Sequence, residues 1–328
     1  MNLLKIHRIF LYFAELSARL RVNEPNLRFV QGAQKINQNL VQNYILTFSL
    51  KYVILYYKYN IEDSMNKCRI ICFSNQKGGV GKTTSALNIA ACIARSGKRV
   101  LFIDSDPQGN ATSGVGIKKK TTNGSVYDLL IGRLSWQETV IETNVKGLSV
   151  IPSSMNLVGA ELELVDEDDR VYRLRKALIG TEEKFDYIII DCPPSLGLLT
   201  INALTASNYV VIPVLCEYYS LEGLSQLSAT IKQIKKLYNP NIELLGVLIN
   251  MFDGRLNLSI AILEEIKKYF ADKILKTPIP RSVRISEAPS YGMVITEYDR
   301  NGKGAAAYSA VALEIMQRCN KLDGGING

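Results

Sequence analysis

Residues 75–84 read Asn75-Gln76-Lys77-Gly78-Gly79-Val80-Gly81-Lys82-Thr83-Thr84, set between a short apolar run and a longer segment of helical character. A glycine-rich loop in that setting can wrap phosphate groups. Glycines let the backbone come close and turn its N–H groups inward, and the helix beginning near Lys82 adds the positive end of its dipole. Lys82 then supplies a full charge to the β- and γ-phosphates, and Thr83 a hydroxyl to Mg²⁺. The general phosphate-loop pattern has glycine at the position held here by Gln76, so the loop is a variant. It carries instead a second lysine, Lys77, long enough to reach phosphate charge beyond its own loop. The plainer reading of Lys77 is a surface lysine beside a loop.

Outward from this loop, short apolar runs alternate with longer helical ones. Residues 70–74, 99–104, 148–152, 187–191, 209–215 and 244–250 are of strand length, and residues 83–96, 198–206, 220–238 and 258–270 are of helix length. That alternation predicts an α/β fold with a mostly parallel twisted sheet and helices on both faces, in the manner of P-loop NTPases. One domain from 65 to 320 is the economical reading, with 321–328 as a flexible tail. Residues 1–64 differ in character, being rich in Asn, Gln, Tyr and Leu and lacking a clear period. Met65 is read as the true start of the protein and 1–64 as an upstream extension. A loosely ordered arm and a small DNA-binding module are the alternatives.

Carboxylates fall at the ends of two of these strands, the edge at which parallel sheets bind ligands. The run 100–103 leads into Asp104-Ser105-Asp106-Pro107-Gln108-Gly109, and 187–190 leads into Asp191-Cys192-Pro193-Pro194-Ser195. Two residues apart on an extended chain, Asp104 and Asp106 point the same way, so one could orient an attacking water while the other contacts the metal shell. A turn or helix-cap aspartate is the plainer alternative. Asp191, after four apolar residues, has the form of an acid that holds Mg²⁺ directly or through water. Together these parts describe phosphoryl transfer to water by positioning and charge stabilisation.

Composition narrows the surroundings. With 39 basic and 31 acidic side chains the 328-residue chain carries a formal +8, which favours polyanionic partners without naming one. Residues 1–64 hold 8 basic and 4 acidic side chains, leaving 31 and 27 on the remaining 264. The six cysteines form no CxxC pair, and the lone histidine, His7, is near none of them, so a zinc site or disulfide scaffold has little support. No stretch reaches the ~18 uninterrupted apolar residues of a membrane-spanning helix, and reduced cysteines fit a cytoplasmic setting.

NQKGGVGKTT resembles the deviant Walker A motif of the ParA/MinD group of ATPases, and DSDPQGNAT and DCPPS are similar to the two switch segments of ParA proteins. The resemblance spans about residues 66–319 and is best to the chromosome-partitioning ParA/Soj branch. It implies that residues 78–84 (Gly78, Gly79, Val80, Gly81, Lys82, Thr83 and Thr84) bind ATP, with Lys82 acting on its own nucleotide and Lys77 reaching across an ATP-dependent homodimer. It assigns Asp106 to hydrolysis and Thr83, Asp104 and Asp191 to the metal. By the same resemblance Asn250 and Pro280 contact adenine, although either could be ordinary strand-end punctuation. Arg255 and Arg284 correspond to non-specific DNA contacts, and the implied partner is a ParB-type centromere-binding protein. The implied setting is cytoplasmic and nucleoid-associated. A MinD-like protein would end in a basic amphipathic helix, whereas Cys319-Asn320-Lys321-Leu322-Asp323-Gly324-Gly325 is too polar and glycine-rich for one. A metabolic P-loop ligase remains the alternative of a different class.

Overall fold

The computed structural model describes residues 68–118, 122–218 and 220–324, all within one compact unit that spans Tyr59–Gly328. The reading of 1–64 as an extension lies outside the described residues.

Seven strands form one sheet in the order β3-β4-β2-β5-β1-β6-β7. They are β1 (Arg69–Phe73), β2 (Val100–Asp104), β3 (Ile141–Glu142), β4 (Leu148–Ile151), β5 (Tyr187–Asp191), β6 (Tyr209–Leu215) and β7 (Glu243–Asn250). Every pairing is parallel except that of β3 with β4. The central strands are continuous β-branched and aliphatic runs because both of their faces are covered. In β1, Ile70, Cys72 and Phe73 are shielded from solvent, as is all of β2 and β5. The twelve α-helices among the described residues are α1 (Lys82–Arg95), α2 (Asn110–Gly114), α3 (Val126–Leu130), α4 (Trp136–Thr139), α5 (Leu157–Glu163), α6 (Arg173–Ala177), α7 (Leu198–Ala206), α8 (Ser220–Leu237), α9 (Asn257–Phe270), α10 (Val283–Glu287), α11 (Ile295–Tyr298) and α12 (Lys303–Gly324).

Two apolar clusters divide the core across the sheet. One joins α1 and α12 to Ile71, Phe73, Phe102 and Ile189, and the other joins α7, α8 and α9 to Ile70, Leu101, Ile103 and Ile190. Alternate residues of one strand thus serve opposite cores, as a period of two requires. The α/β sheet expected from the sequence is present, with each of the six expected strands within two residues of its anticipated bounds.

Two differences have clear causes. The antiparallel β3 has only two residues, too short to leave a pattern. The boundary expected at 320 also shifts, because α12 continues through Gly324. Its Asp323 accepts hydrogen bonds from Arg69 Nε at 2.6 Å and from the Tyr209 hydroxyl at 2.5 Å, which tie the helix end to the base of β1 and β6. Residues 321–324 are therefore helical rather than part of a tail.

Candidate active site

The phosphate loop leaves β1 and enters α1 through a backbone that glycine makes accessible. Gly79 and Gly81 have φ of 74° and 81°, a region that side chains disfavour. At Gly81 space is also lacking, since an added Cβ would lie 2.9 Å from Asn250 Nδ2. The loop is anchored at its start by Asn75, whose Nδ2 donates to Pro213 O at 2.7 Å and whose Oδ1 accepts from Lys77 N at 2.9 Å. Nothing local marks Asn75 in the sequence, because its partner lies 138 residues away on β6.

The two lysines of the loop face different surroundings. Lys82 is buried, with Nζ donating to Lys77 O at 3.2 Å. Burial lowers its pKa, while the charges of Asp191, Cys192 and Asp106 act to raise it. Lys77 points outward, its side chain 41% exposed, and its Nζ meets Glu217 Oε2 at 2.5 Å. Lys82 is thus turned back onto its own loop within the influence of the buried Asp191 and Asp106, and Lys77 lies at the surface.

Parallel register brings the acids together. Asp104 at the end of β2 stands opposite Asp191 at the end of β5, which in turn stands opposite Phe73 at the end of β1. Asp191 is fully buried, and neither of its carboxylate oxygens has a hydrogen-bond partner among the described residues. The Thr83 hydroxyl lies close enough to lower its pKa without the geometry of a full hydrogen bond. Burial first and the Asp104 charge second push it well above the usual carboxylate range. An orphaned buried carboxylate is costly, and such a group calls for a cation. Hard oxygen donors from Asp191 and Thr83 suit Mg²⁺.

Asp104, opposite Asp191 in the register, makes contacts of its own. Its Oδ2 accepts from Thr112 N at 2.8 Å and Thr112 Oγ1 at 2.6 Å, so it also holds the N-terminal end of α2. Burial raises its pKa to about 6 against the opposing effect of these hydrogen bonds. Asp106 is buried as well, and its Oδ1 accepts from Gln108 N at 2.9 Å and its backbone carbonyl from Ser153 Oγ at 2.6 Å.

The two residues expected near the base sit at the end of β7 and beside it. Asn250 is buried, and its Nδ2 donates to Val80 O at 2.8 Å and Ser85 Oγ at 2.9 Å. Its amide thus braces the phosphate loop from the end of β7. Pro280 forms a bridge with Phe252 and sits half-buried beside the same strand end. Met251, between Asn250 and Phe252, has φ of 49°, the one non-glycine residue at positive φ among those described. Arg255 and Arg284 stand apart from the carboxylates, with side chains 90% and 64% exposed. Arg255 is held by Asp253 through bonds of 2.9 and 2.6 Å, and Arg284 lies 3.5 Å from Glu287 with its guanidinium over the Tyr298 ring.

A family model described as an AAA domain matches residues 68–244. The chain is 55% identical over 247 residues to the sporulation initiation inhibitor protein Soj of Bacillus subtilis, covering 75% of this chain and 98% of that one. It is 50% identical over 250 residues to the chromosome partitioning protein ParA of Myxococcus xanthus, covering 76% and 88%. The chain belongs to the ParA/Soj family of chromosome-partitioning ATPases. Among solved structures, cobyrinic acid a,c-diamide synthase from Mycobacterium smegmatis, with bound ADP and magnesium, superimposes with a TM-score of 0.67 at 34% identity, covering 77% of this chain and 96% of that one. Identity to the ParA/Soj proteins is well above identity to that synthase, so the partitioning branch accounts better for this chain than the metabolic alternative does. The motifs at 75–84, 104–112 and 191–195 all lie inside the matched residues, so the ParA/Soj resemblance rests on the same segments that meet at the strand ends.

Proposed function

We propose that this chain is an ATP-switched DNA-partitioning ATPase, working as a dimer that clasps two nucleotides between its subunits. The observation that carries this reading is the opposed placement of Lys77 and Lys82 on one glycine loop. Lys82 is buried, within reach of the Asp191 and Asp106 charges, where it meets the chain's own nucleotide, and Lys77 stands at the surface on Glu217, from which it would swing to reach a neighbour's.

In this reading the N–H groups of residues 78–84 cradle the phosphates and Lys82 neutralises their charge. Thr83 and Asp191 would hold Mg²⁺, which would supply charge neutralisation to the phosphates. Asp106 orients the attacking water, and Asp104 fixes the switch backbone through Thr112 while facing the metal shell. Asn250 keeps the loop in shape, and Pro280 lines the base. No side chain forms a covalent intermediate, so rate comes from positioning and from charge placed in advance. Turnover is slow and Mg²⁺-dependent, because the ATP state must persist long enough to act.

Arg255 and Arg284 grip DNA phosphates without reading bases, which gives salt-sensitive, non-specific binding. Dimerisation doubles such contacts and so couples DNA affinity to ATP. A ParB-type centromere-binding protein accelerates hydrolysis and releases the dimer, in a cytoplasmic, nucleoid-associated cycle. Among the described residues no helix is long and apolar enough to cross a membrane.

An electrophoretic shift of linear duplex DNA by the full chain, with and without Mg-ATP, tests this directly. Retardation that requires ATP and weakens steeply with salt is expected. Absence of any shift at low salt with ATP present would favour a metabolic ligase, and binding to anionic vesicles in place of DNA would favour a MinD-like role.

A further inference from the structure

Three buried polar side chains from three elements meet beside the phosphate loop. Ser85 lies in the first turn of α1, Asn250 ends β7 and Tyr308 sits on α12. Ser85 Oγ is 2.9 Å from Asn250 Nδ2, 3.2 Å from Asn250 Oδ1 and 3.3 Å from the Tyr308 hydroxyl. Buried hydroxyls and amides are costly unless their protons are placed.

Counting those protons gives the cluster a direction. Val80 O can only accept, so the atom of Asn250 that meets it at 2.8 Å is Nδ2, and the amide is held in one orientation. The two Nδ2 protons go to the nearest acceptors, Val80 O and Ser85 Oγ, with Gly81 O farther off at 3.4 Å. Burial pushes the Tyr308 phenol well above its usual pKa, so the hydroxyl keeps its proton. Were Ser85 to donate to Tyr308, that proton would have no acceptor among the described residues, a buried orphan. With Tyr308 donating to Ser85 Oγ and Ser85 donating to Asn250 Oδ1, every proton has a place. The chain of bonds therefore runs from Tyr308 through Ser85 to Asn250 and ends on Val80 O.

The far end of this chain is the part of the loop that glycine makes soft. Val80 lies between Gly79 and Gly81, both at positive φ. Its carbonyl shares one planar trans peptide with the Gly81 N–H, so holding the oxygen toward Asn250 fixes the N–H on the opposite side. Asn250 itself is firmly set. The chain turns directly after it at Met251, whose φ of 49° is a strained conformation that persists only where the surroundings hold it.

We propose that Ser85, backed by Tyr308, is a positioning residue for nucleotide binding: it orients Asn250, which holds the Val80 peptide so that the Gly81 N–H faces the phosphates. This rests on the phosphate-loop reading above and needs neither the dimer nor DNA. Neither hydroxyl acts on the nucleotide itself. Because the loop meets phosphates that ADP and ATP share, the two affinities change together, whereas a residue acting across a dimer affects ATP alone.

Fluorescence titration of the full chain with methylanthraniloyl-ADP and its ATP counterpart, alongside ATP turnover, tests the proposal. Ser85→Ala is expected to bind both about fivefold to tenfold more weakly, with turnover at saturating Mg-ATP within about twofold of the parent. Tyr308→Phe, which removes one oxygen and keeps the ring, is expected to bind both about threefold more weakly. Adding it to Ser85→Ala should bring no further loss, since Tyr308 acts only through Ser85. Parental affinity in Ser85→Ala, slower turnover without weaker binding, or losses that multiply in the double variant would each overturn the proposal. Thermal unfolding shows which variants are folded, and if Ser85→Ala is not, parental affinity in Tyr308→Phe overturns the proposal by itself. Lys82→Ala separates this proposal from the reading beneath it. Parental nucleotide binding in Lys82→Ala would sink the loop assignment and the proposal with it, whereas lost binding there beside parental binding in Ser85→Ala would sink the proposal alone.

Discussion

Lys77 Nζ and Glu217 Oε2 lie 2.5 Å apart within one subunit. The lysine assigned to a neighbour's nucleotide is therefore engaged at home, and must leave Glu217 before it can cross. An exposed pair of this kind contributes about 0.2–1 kcal/mol, and a dimer breaks two of them.

Glu217→Gln should therefore favour ATP-dependent dimerisation, by up to about tenfold in the dimerisation constant if each pair contributes ~0.7 kcal/mol. Light scattering across an ATP titration measures it. A shift toward weaker dimerisation would mean that Glu217 supports the dimer.

Asp191 should destabilise the nucleotide-free protein. Its two oxygens are buried without hydrogen-bond partners and its folded-state pKa is raised. Asp191→Asn should stabilise the nucleotide-free chain, because it removes a buried group that can carry an unpaired charge, and should remove most of the extra stabilisation that Mg²⁺ adds to ATP. The linked pH dependence follows from Asp104, whose pKa is raised from 3.8 to about 6. Between these values the folded state holds more protons than the unfolded chain, so this contribution to stability is full below about pH 4 and is lost as pH rises through about 6. Thermal unfolding at pH 5 and pH 7 in Asp104→Asn should show a smaller difference than in the parent.

The DNA contacts predict opposite effects from neighbouring substitutions. Arg284→Ala should weaken DNA binding and flatten its salt dependence while leaving dimerisation unchanged, since each phosphate contact adds roughly one to the salt slope. Asp253→Asn should strengthen binding, because Asp253 holds Arg255 and that guanidinium keeps its carboxyl at about 2. Titration of DNA at two salt concentrations distinguishes these outcomes.

What was legible in the sequence follows the range of the interactions. The phosphate loop, the strand-end acids and the parallel sheet are local patterns, because glycine at 79 and 81 and apolar runs ending in Asp104 and Asp191 are each set within a few residues. Asn250 was legible as a strand-end residue, but its bond to Val80, 170 residues distant in sequence, was not. Glu217 and Asn75 were missed for the same reason. Short helices such as α2 and α5 left no period to read, and the long α12 was missed as well. Asp323, which extends α12 past 320, acts through Arg69, 254 positions away.

The central claim is that two subunits share two nucleotides through Lys77. Multi-angle light scattering of Asp106→Ala, saturated with Mg-ATP, tests it most directly. A mass of twice the 36.6 kDa chain is predicted, reverting to a single chain when Lys77→Ala is added. A monomer in the first case, or an undiminished dimer in the second, would contradict the account.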